Sequence, residues 1–201
     1  MSTPSSNKRA PAISATARLR LKIQLDGSRP AIWRRVEVDD NLTFLDLHRV
    51  IQEAMGWENC HLHEFNVAGQ RLSTASADDD EFAESEPALP EGSTTLGALL
   101  QGQRKFRYWY DFGDDWWHTL TVEKSLSLAP QAPRAVLVDG ARACPPEDCG
   151  GIHGYAEMLD ILSHPDDESY EETREWMGED FDASQFDLAA HARRVAAVAK
   201  R

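Results

Sequence analysis

Two histidines, His61 and His63, stand two apart in the run HLHEFNV. On a strand this spacing sends both imidazoles to one face, where they could share a divalent metal such as zinc, which takes about four N, S or O ligands. Phe65 and Val67 fall on the same face, so the competing reading is two histidines at the rim of a core. Cys144 and Cys149 bracket Pro-Pro-Glu-Asp in the loop CPPEDCGG. A Cys-x4-Cys loop can chelate if a second ligand pair completes it, from His61 with His63 or His118 with His153. The alternatives are a rigid loop holding two buried thiols, which the spacing favours, or a Cys144–Cys149 disulfide, which a reducing compartment disfavours.

Asp111, Asp114 and His118 flank the turn of YDFGDDWWH and could act as ligands or as an acid/base pair, with Asp111 and His118 facing each other from opposite strands. The plainer reading is turn-capping aspartates and a histidine held by cross-strand pairing. In a metal-dependent hydrolase, His61, His63 and Asp111 would hold the ion and Glu147 or Asp148 would serve as base. Arg34 and Arg35, beside Trp33, could contact phosphate or an acidic partner; the plainer readings are strand surface charges, or salt-bridge donors to Asp111 or Glu147.

These residues need elements to position them. Residues 104–123 alternate with a period of two on both sides of Phe112-Gly113-Asp114-Asp115, which predicts an aromatic-rich β-hairpin. Leu19, Leu21, Ile23 and Leu25 alternate with polar residues, and Ile32 to Val38 reads as the returning strand with Ile32, Val36 and Val38 on one face. Thr43 with Asp46 three residues on, apolar residues at helical spacing from Phe44 to Met55, and Gly56 predict a capped amphipathic helix. His61 to Val67 resumes strand alternation. The stretch 73–92 is acidic and poor in large apolar residues, an expected solvated insertion. Residues 94–100 read as a short helical turn, 135–138 as a short strand. Three helices follow: one around Tyr155 to Leu162, one from Glu168 to Met177, one from Asp187 to Lys200.

The chain has 201 residues and a net charge of −13, enough length for a sizeable core and the wrong sign for broad nucleic-acid binding. The first segment is locally basic, so DNA contact through Arg34 and Arg35 stays open as a weaker reading. No run approaches the roughly 18–20 apolar residues of a membrane span, residues 1–14 read as a disordered leader without a signal-peptide core, and three cysteines give no disulfide framework; the expected location is the cytoplasm. Walker, dinucleotide-binding, Gly-x-Ser-x-Gly and His-Glu-x-x-His motifs are absent.

Taken together, Ile32-Trp33-Arg34-Arg35, Leu47-His48, Ala54-Met55-Gly56-Trp57, His61-Leu62-His63-Glu64-Phe65, Tyr110-Asp111-Phe112-Gly113-Asp114, Trp116, His118, Glu123, and the loop from Cys144 to Gly151 with Gly154-Tyr155 resemble the plasmid pRiA4b ORF-3-like family across residues 17–190. The resemblance implies no particular activity; it implies an association with plasmids or transposon passenger genes, some members being labelled resolvases. No segment here offers the nucleophilic Ser amid several Arg that a serine recombinase needs.

The expectation is therefore an α+β protein: a β-grasp-like core over 15–125 with an added hairpin and the acidic insertion, then a Cys/Pro/Gly loop and helical segment over 126–201 packed on the same domain. Its expected function is a non-catalytic binding or adaptor module for a protein or small-molecule partner, with the metal-dependent hydrolase as alternative. The binding surface would join Arg34, Arg35, Tyr110, Trp116, Gly150, Gly151 and Tyr155, where irregular segments gather.

Overall fold

The structure, a computed structural model, describes residues 15–74, 88–128 and 132–198. The expected leader 1–14 lies outside them, as do residues 75–87 of the acidic stretch. In chain order the elements are β1 (Arg18–Leu25), β2 (Trp33–Asp39), α1 (Phe44–Met55), β3 (His63–Val67), β4 (Gln70–Ser73), β5 (Leu89–Pro90), α2 (Leu96–Leu100), β6 (Lys105–Tyr110), β7 (Trp116–Leu126), β8 (Ala135–Ala141), α3 (Gly151–Leu162), α4 (Tyr170–Met177) and α5 (Leu188–Val198).

The strands form one eight-stranded sheet in the order β5-β4-β3-β6-β7-β1-β2-β8. Every pairing is antiparallel except β4 with β5. The α+β class holds. The aromatic hairpin, expected as an addition to a core, is instead its middle: β6 pairs with β3 on one side, and β7 pairs with β1 on the other.

Alternation decides the two faces. Leu21, Ile23, Leu25, Val36, Val38, Phe65, Tyr108, Tyr110, Trp116 and Leu120 point into the core with the buried side of α1. Helix α1 begins at Thr43, whose hydroxyl accepts from the Asp46 amide while the Asp46 carboxylate accepts from the Thr43 amide. That reciprocal box satisfies two end donors and is worth about 1 kcal/mol. Gly56 ends the helix at φ 98°, a left-handed position that a side chain would strain. Phe44, Leu47, Val50, Ile51 and Ala54 are wholly buried, each large aliphatic contributing roughly 1.5–3 kcal/mol. Helix α5 packs against both α1 and β8.

The opposite face is covered by side-chain ion pairs instead. Arg20 meets Glu37 at 2.6 Å, Arg35 meets Glu123 at 2.7 Å and Asp139 at 2.8 Å, and Arg107 meets Asp26 at 2.8 Å. Among the described residues no helix is long and apolar enough to cross a membrane.

Candidate functional site

At the end of β6 the chain turns out of the sheet, and the last residue, Tyr110, keeps its ring in the core. Its hydroxyl donates to Glu147 Oε1 and accepts from the backbone amides of Cys60 (3.1 Å) and His61 (3.4 Å). The second oxygen of Glu147 accepts from the Glu58 amide (3.1 Å) and lies 3.4 Å from Cys60 Sγ. Trp57 stacks on Tyr110 with centroids 5.1 Å apart and donates its indole N–H to the Pro145 carbonyl at 2.9 Å. Three segments far apart in sequence are thereby tied together: the loop after α1, the tip of the central hairpin and the Cys-Pro-Pro-Glu-Asp loop. Burial, reinforced by the Glu147 carboxylate, pushes the Tyr110 phenol far above its ordinary range, so the hydroxyl stays protonated and donating.

His61, Asp111 and Asp148 meet on the outer side of this junction. His61 Nε2 lies 3.6 Å from Asp111 Oδ2 and 3.3 Å from Asp148 Oδ1, yet this nitrogen is buried and has no hydrogen-bond partner. Asp111 is buried; its Oδ1 accepts from the Gly113 amide at 3.0 Å, which turns Oδ2 toward His61. Asp148 is the exposed member, its side chain 73% accessible. Asn59, Asp111 and Asp148 all have positive φ, at 58°, 53° and 58°. Left-handed backbone costs a non-glycine residue of order 1 kcal/mol or more, and three such residues surround this one point. Cys60, His61 and Glu147 form a second, overlapping set of ligating atoms.

A separate polar network lies deeper, under α1. The imidazoles of His48 and His63 stack in parallel, 3.4 Å apart and inclined by 1°. His63 Nε2 lies 2.9 Å from Glu91 Oε2. Asn59 Oδ1, 2.6 Å from His48 Nε2, can only accept, so His48 carries its proton there. His48 Nδ1 then accepts from the Tyr108 hydroxyl at 2.8 Å, and that hydroxyl accepts from Gln52 at 3.0 Å. Burial and the neighbouring His63 push His48 down to about 3.

Several expected groupings are not formed. His61 precedes β3 instead of lying in it, so the two-residue alternation never applies to it; His63 belongs to the buried network, and no cluster of three or more ligating side chains among the described residues contains both. Cys144 and Cys149 are free and enter no such cluster; burial pushes both thiols up to about 12. His118 pairs across the hairpin with Tyr108, not with Asp111. It is fully buried, its Nε2 has no partner, and desolvation pushes it down to about 3. Asp114 keeps a buried, unpartnered Oδ2, while its carbonyl oxygen is where a Cβ at Gly151 (φ 68°) would collide. Gly151 is therefore a contact between the Cys-Pro-Pro loop and the hairpin tip. Gly150 starts α3 at φ 80°.

Arg34 follows the parity of Ile32, Val36 and Val38 into the core. It is fully buried, donates to the carbonyls of Ala54, Trp33 and Ala141, and lies under the Phe186 ring at 3.7 Å. Its partners are backbone carbonyls, and Arg35 pairs with Glu123 and Asp139; neither reaches Asp111 or Glu147. Desolvation lowers Arg34 to about 10. Arg34 is enclosed by the core, and Arg35 is held by two carboxylates on the opposite face of the sheet. Trp116 and Tyr155 are core residues, 1% and 4% exposed. The sequence reading passed over His48, Cys60, Glu91 and Tyr108. Cys60 stood next to His61 in the same loop, a signal that was available; Glu91 lay in a stretch read as solvated, and nothing local marks it as buried.

A mixed α+β protein with a single eight-stranded sheet and a junction of three irregular segments at one end of its central hairpin is the class that fold and site define. The family model described as plasmid pRiA4b ORF-3-like protein matches residues 17–190, and the chain belongs to that family. It is 36% identical over 173 residues to "Uncharacterized protein y4hQ" of Sinorhizobium fredii (strain NBRC 101917 / NGR234), covering 86% of this chain and 84% of the relative. Among solved structures it is similar to a protein of unknown function, MM3350, from Methanosarcina mazei Go1, with a TM-score of 0.78, 37% identity, and coverage of 88% of this chain and 98% of that one.

Proposed function

We propose that this protein is a non-catalytic binding module whose ligand surface is the junction of His61, Asp111, Glu147 and Asp148. The observation that carries the reading is the convergence itself: three segments are pinned by one hydroxyl and one carboxylate, and the result is an exposed surface. Leu62 and Phe112, next to His61 and Asp111, are 66% and 44% exposed. Phe112 continues a stack through Trp109 to Trp117, at 4.2 and 4.9 Å between centroids. Apolar side chains around a few fixed polar groups are how ligand surfaces are built.

Burial withdraws four nearby side chains from acid–base work, which leaves fewer candidates for catalysis around the junction. A general acid or base works best with a pKa near the working pH. His48 and His118 are pushed down to about 3, and Cys144 and Cys149 up to about 12. Glu147 is engaged by three donors and holds geometry. The family's description by a plasmid reading frame supports an association with mobile elements, and the β1–β2–α1–β3 order supports a β-grasp-like ancestry opened by the central hairpin.

The test is capture of partners on immobilised protein, wild type against Leu62→Asp and Phe112→Asp, beside a panel of ester, phosphodiester and peptide substrates. A partner held by wild type and released by both variants supports the reading. Turnover that disappears in Asp148→Ala overturns it in favour of a hydrolase.

A further inference from the structure

We propose that His61 Nε2, Asp111 Oδ2 and Asp148 Oδ1 form a three-ligand site for a divalent transition-metal ion of the zinc class, with its remaining position open to an incoming ligand. The proposal rests on the reading of this junction as the binding surface and names what binds there first.

Distances carry it. A hydrogen bond from an imidazole to a carboxylate runs about 2.7–3.2 Å, and His61 Nε2 makes none, standing 3.3 and 3.6 Å from the two carboxylate oxygens. Donors about 2.0–2.2 Å from one tetrahedral ion are separated by roughly 3.4 Å along the tetrahedral edge. The nitrogen faces both carboxylates without a hydrogen bond to either, at separations close to the edge of a common ion's shell. Charge balance agrees. Asp111 has only 9% of its side chain accessible, and among the described residues no Lys or Arg forms an ion pair with Asp111 or Asp148. A buried carboxylate ordinarily has a compensating cation; a single imidazolium at His61 would offset one of the two carboxylates, whereas a divalent ion matches both.

Each ligand is also held from behind, as ligands of metal sites usually are. Asp111 is fixed by the Gly113 amide at 3.0 Å. The His61 ring stands edge-on to Tyr110, at 5.7 Å and 73°. Asp148 follows Glu147, which Tyr110 and the Glu58 and Cys60 groups immobilise. The same accounting sets aside the overlapping Cys60–His61–Glu147 set: the Glu147 oxygens are already taken by protein donors, whereas Asp111 Oδ2 and Asp148 Oδ1 have only His61 beside them. One imidazole with two carboxylates suits zinc and its first-row neighbours better than calcium or magnesium, which favour oxygen alone. Exposed Asp148 places the open position on the solvent side, beside Leu62 and Phe112, so that a carboxylate, thiol or imidazole of a partner could complete the ion's shell.

The experiment is equilibrium dialysis of the metal-stripped full chain against zinc, followed by elemental analysis, with wild type, Asp148→Asn, His61→Gln and Cys60→Ser. Asp148 is exposed, so Asp148→Asn retains the fold, which circular dichroism confirms. One zinc per chain in wild type and Cys60→Ser, weakened at least about a hundredfold in Asp148→Asn and His61→Gln, is the expected result; outer-shell changes alone cost about 10–100-fold. Zinc retained by Asp148→Asn but lost by Cys60→Ser moves the ion to the other set and overturns the assignment, as does no stoichiometric zinc in wild type. Repeating the partner capture in chelator separates the two readings: a partner held without metal leaves the binding surface standing when the ion fails.

Discussion

Tyr108 and Tyr110 sit two residues apart on one face of β6, their rings 6.4 Å apart and inclined by only 8°. Both are fully buried and both hydroxyls are hydrogen-bonded in networks with histidine or glutamate nearby. One belongs to a closed core and the other to a candidate site. What separates them is the layer laid over each. Tyr108 lies under α1, whose His48 and Gln52 use up its hydroxyl, and of that network's residues Asn59 alone is exposed. Tyr110 lies one pleat further, past the C-terminal end of the helix, where loops must satisfy it. Loops bring backbone amides and short acidic side chains, and one step beyond them stands exposed Asp148. The same residue on the same strand becomes structure or site according to where a twelve-residue helix stops.

The contrast can be broken most forcefully from the closed side. Glu91→Ala leaves buried His63 without its carboxylate, and removing one partner of a buried pair costs about 3 kcal/mol; the urea midpoint should fall with an unchanged slope. An undiminished midpoint would mean that this half is not sealed. The closed half should also carry the acid sensitivity. His118 is depressed from its ordinary 6.5 to about 3, so between those values the unfolded chain binds a proton that the folded one refuses. Stability from this group is complete above about 6.5 and declines as the pH falls toward 3. At pH 5 the loss is about 2 kcal/mol, and His118→Phe should flatten urea-unfolding stability against pH between 7 and 5. The smallest effect belongs to the open side. Tyr110→Phe removes one hydroxyl shared by Glu147 and two amides, worth about 1 kcal/mol globally. Amide exchange at 58–61 and 147–149 should accelerate while α1 keeps its protection; uniform acceleration would make Tyr110 merely another core residue.

How much of this was legible in the sequence follows from how local each cause is. Thr43, Asp46 and Gly56 set both ends of α1 within a few residues, and the helix stands where its pattern placed it. Strand alternation likewise located β1, β2 and β6 within a residue, and β7, which runs three residues past the alternating stretch to Leu126. Strand order is different, because nothing within β1 says that β7 will lie beside it. Arg34 shows a pattern set aside: its parity put it on the core face, and its charge argued for the surface. The backbone carbonyls at the end of α1 and beside β8 that receive it come from distant segments. For the site, the three converging segments were foreseeable from their Gly, Pro, Asp and His content. The hydrolase alternative already grouped His61, Asp111 and Asp148; what it did not show is that His63 turns away to Glu91 and that Asp148 lies beside His61, because two of the three adopt left-handed backbone and His61 precedes its strand.

The placing of β6 and β7 in the middle of the sheet has a consequence for biosynthesis. β1 ends at Leu25, and its partner on one side begins at Trp116. A ribosome adding about 5–20 residues per second needs on the order of ten seconds to cover that interval. Throughout it, the nascent chain presents an apolar strand with one edge unpaired, the condition that invites aggregation or a chaperone. Closing contacts of such long sequence separation is also slow after release. The sheet's central seam is thus the last part of it that synthesis allows to close on β1.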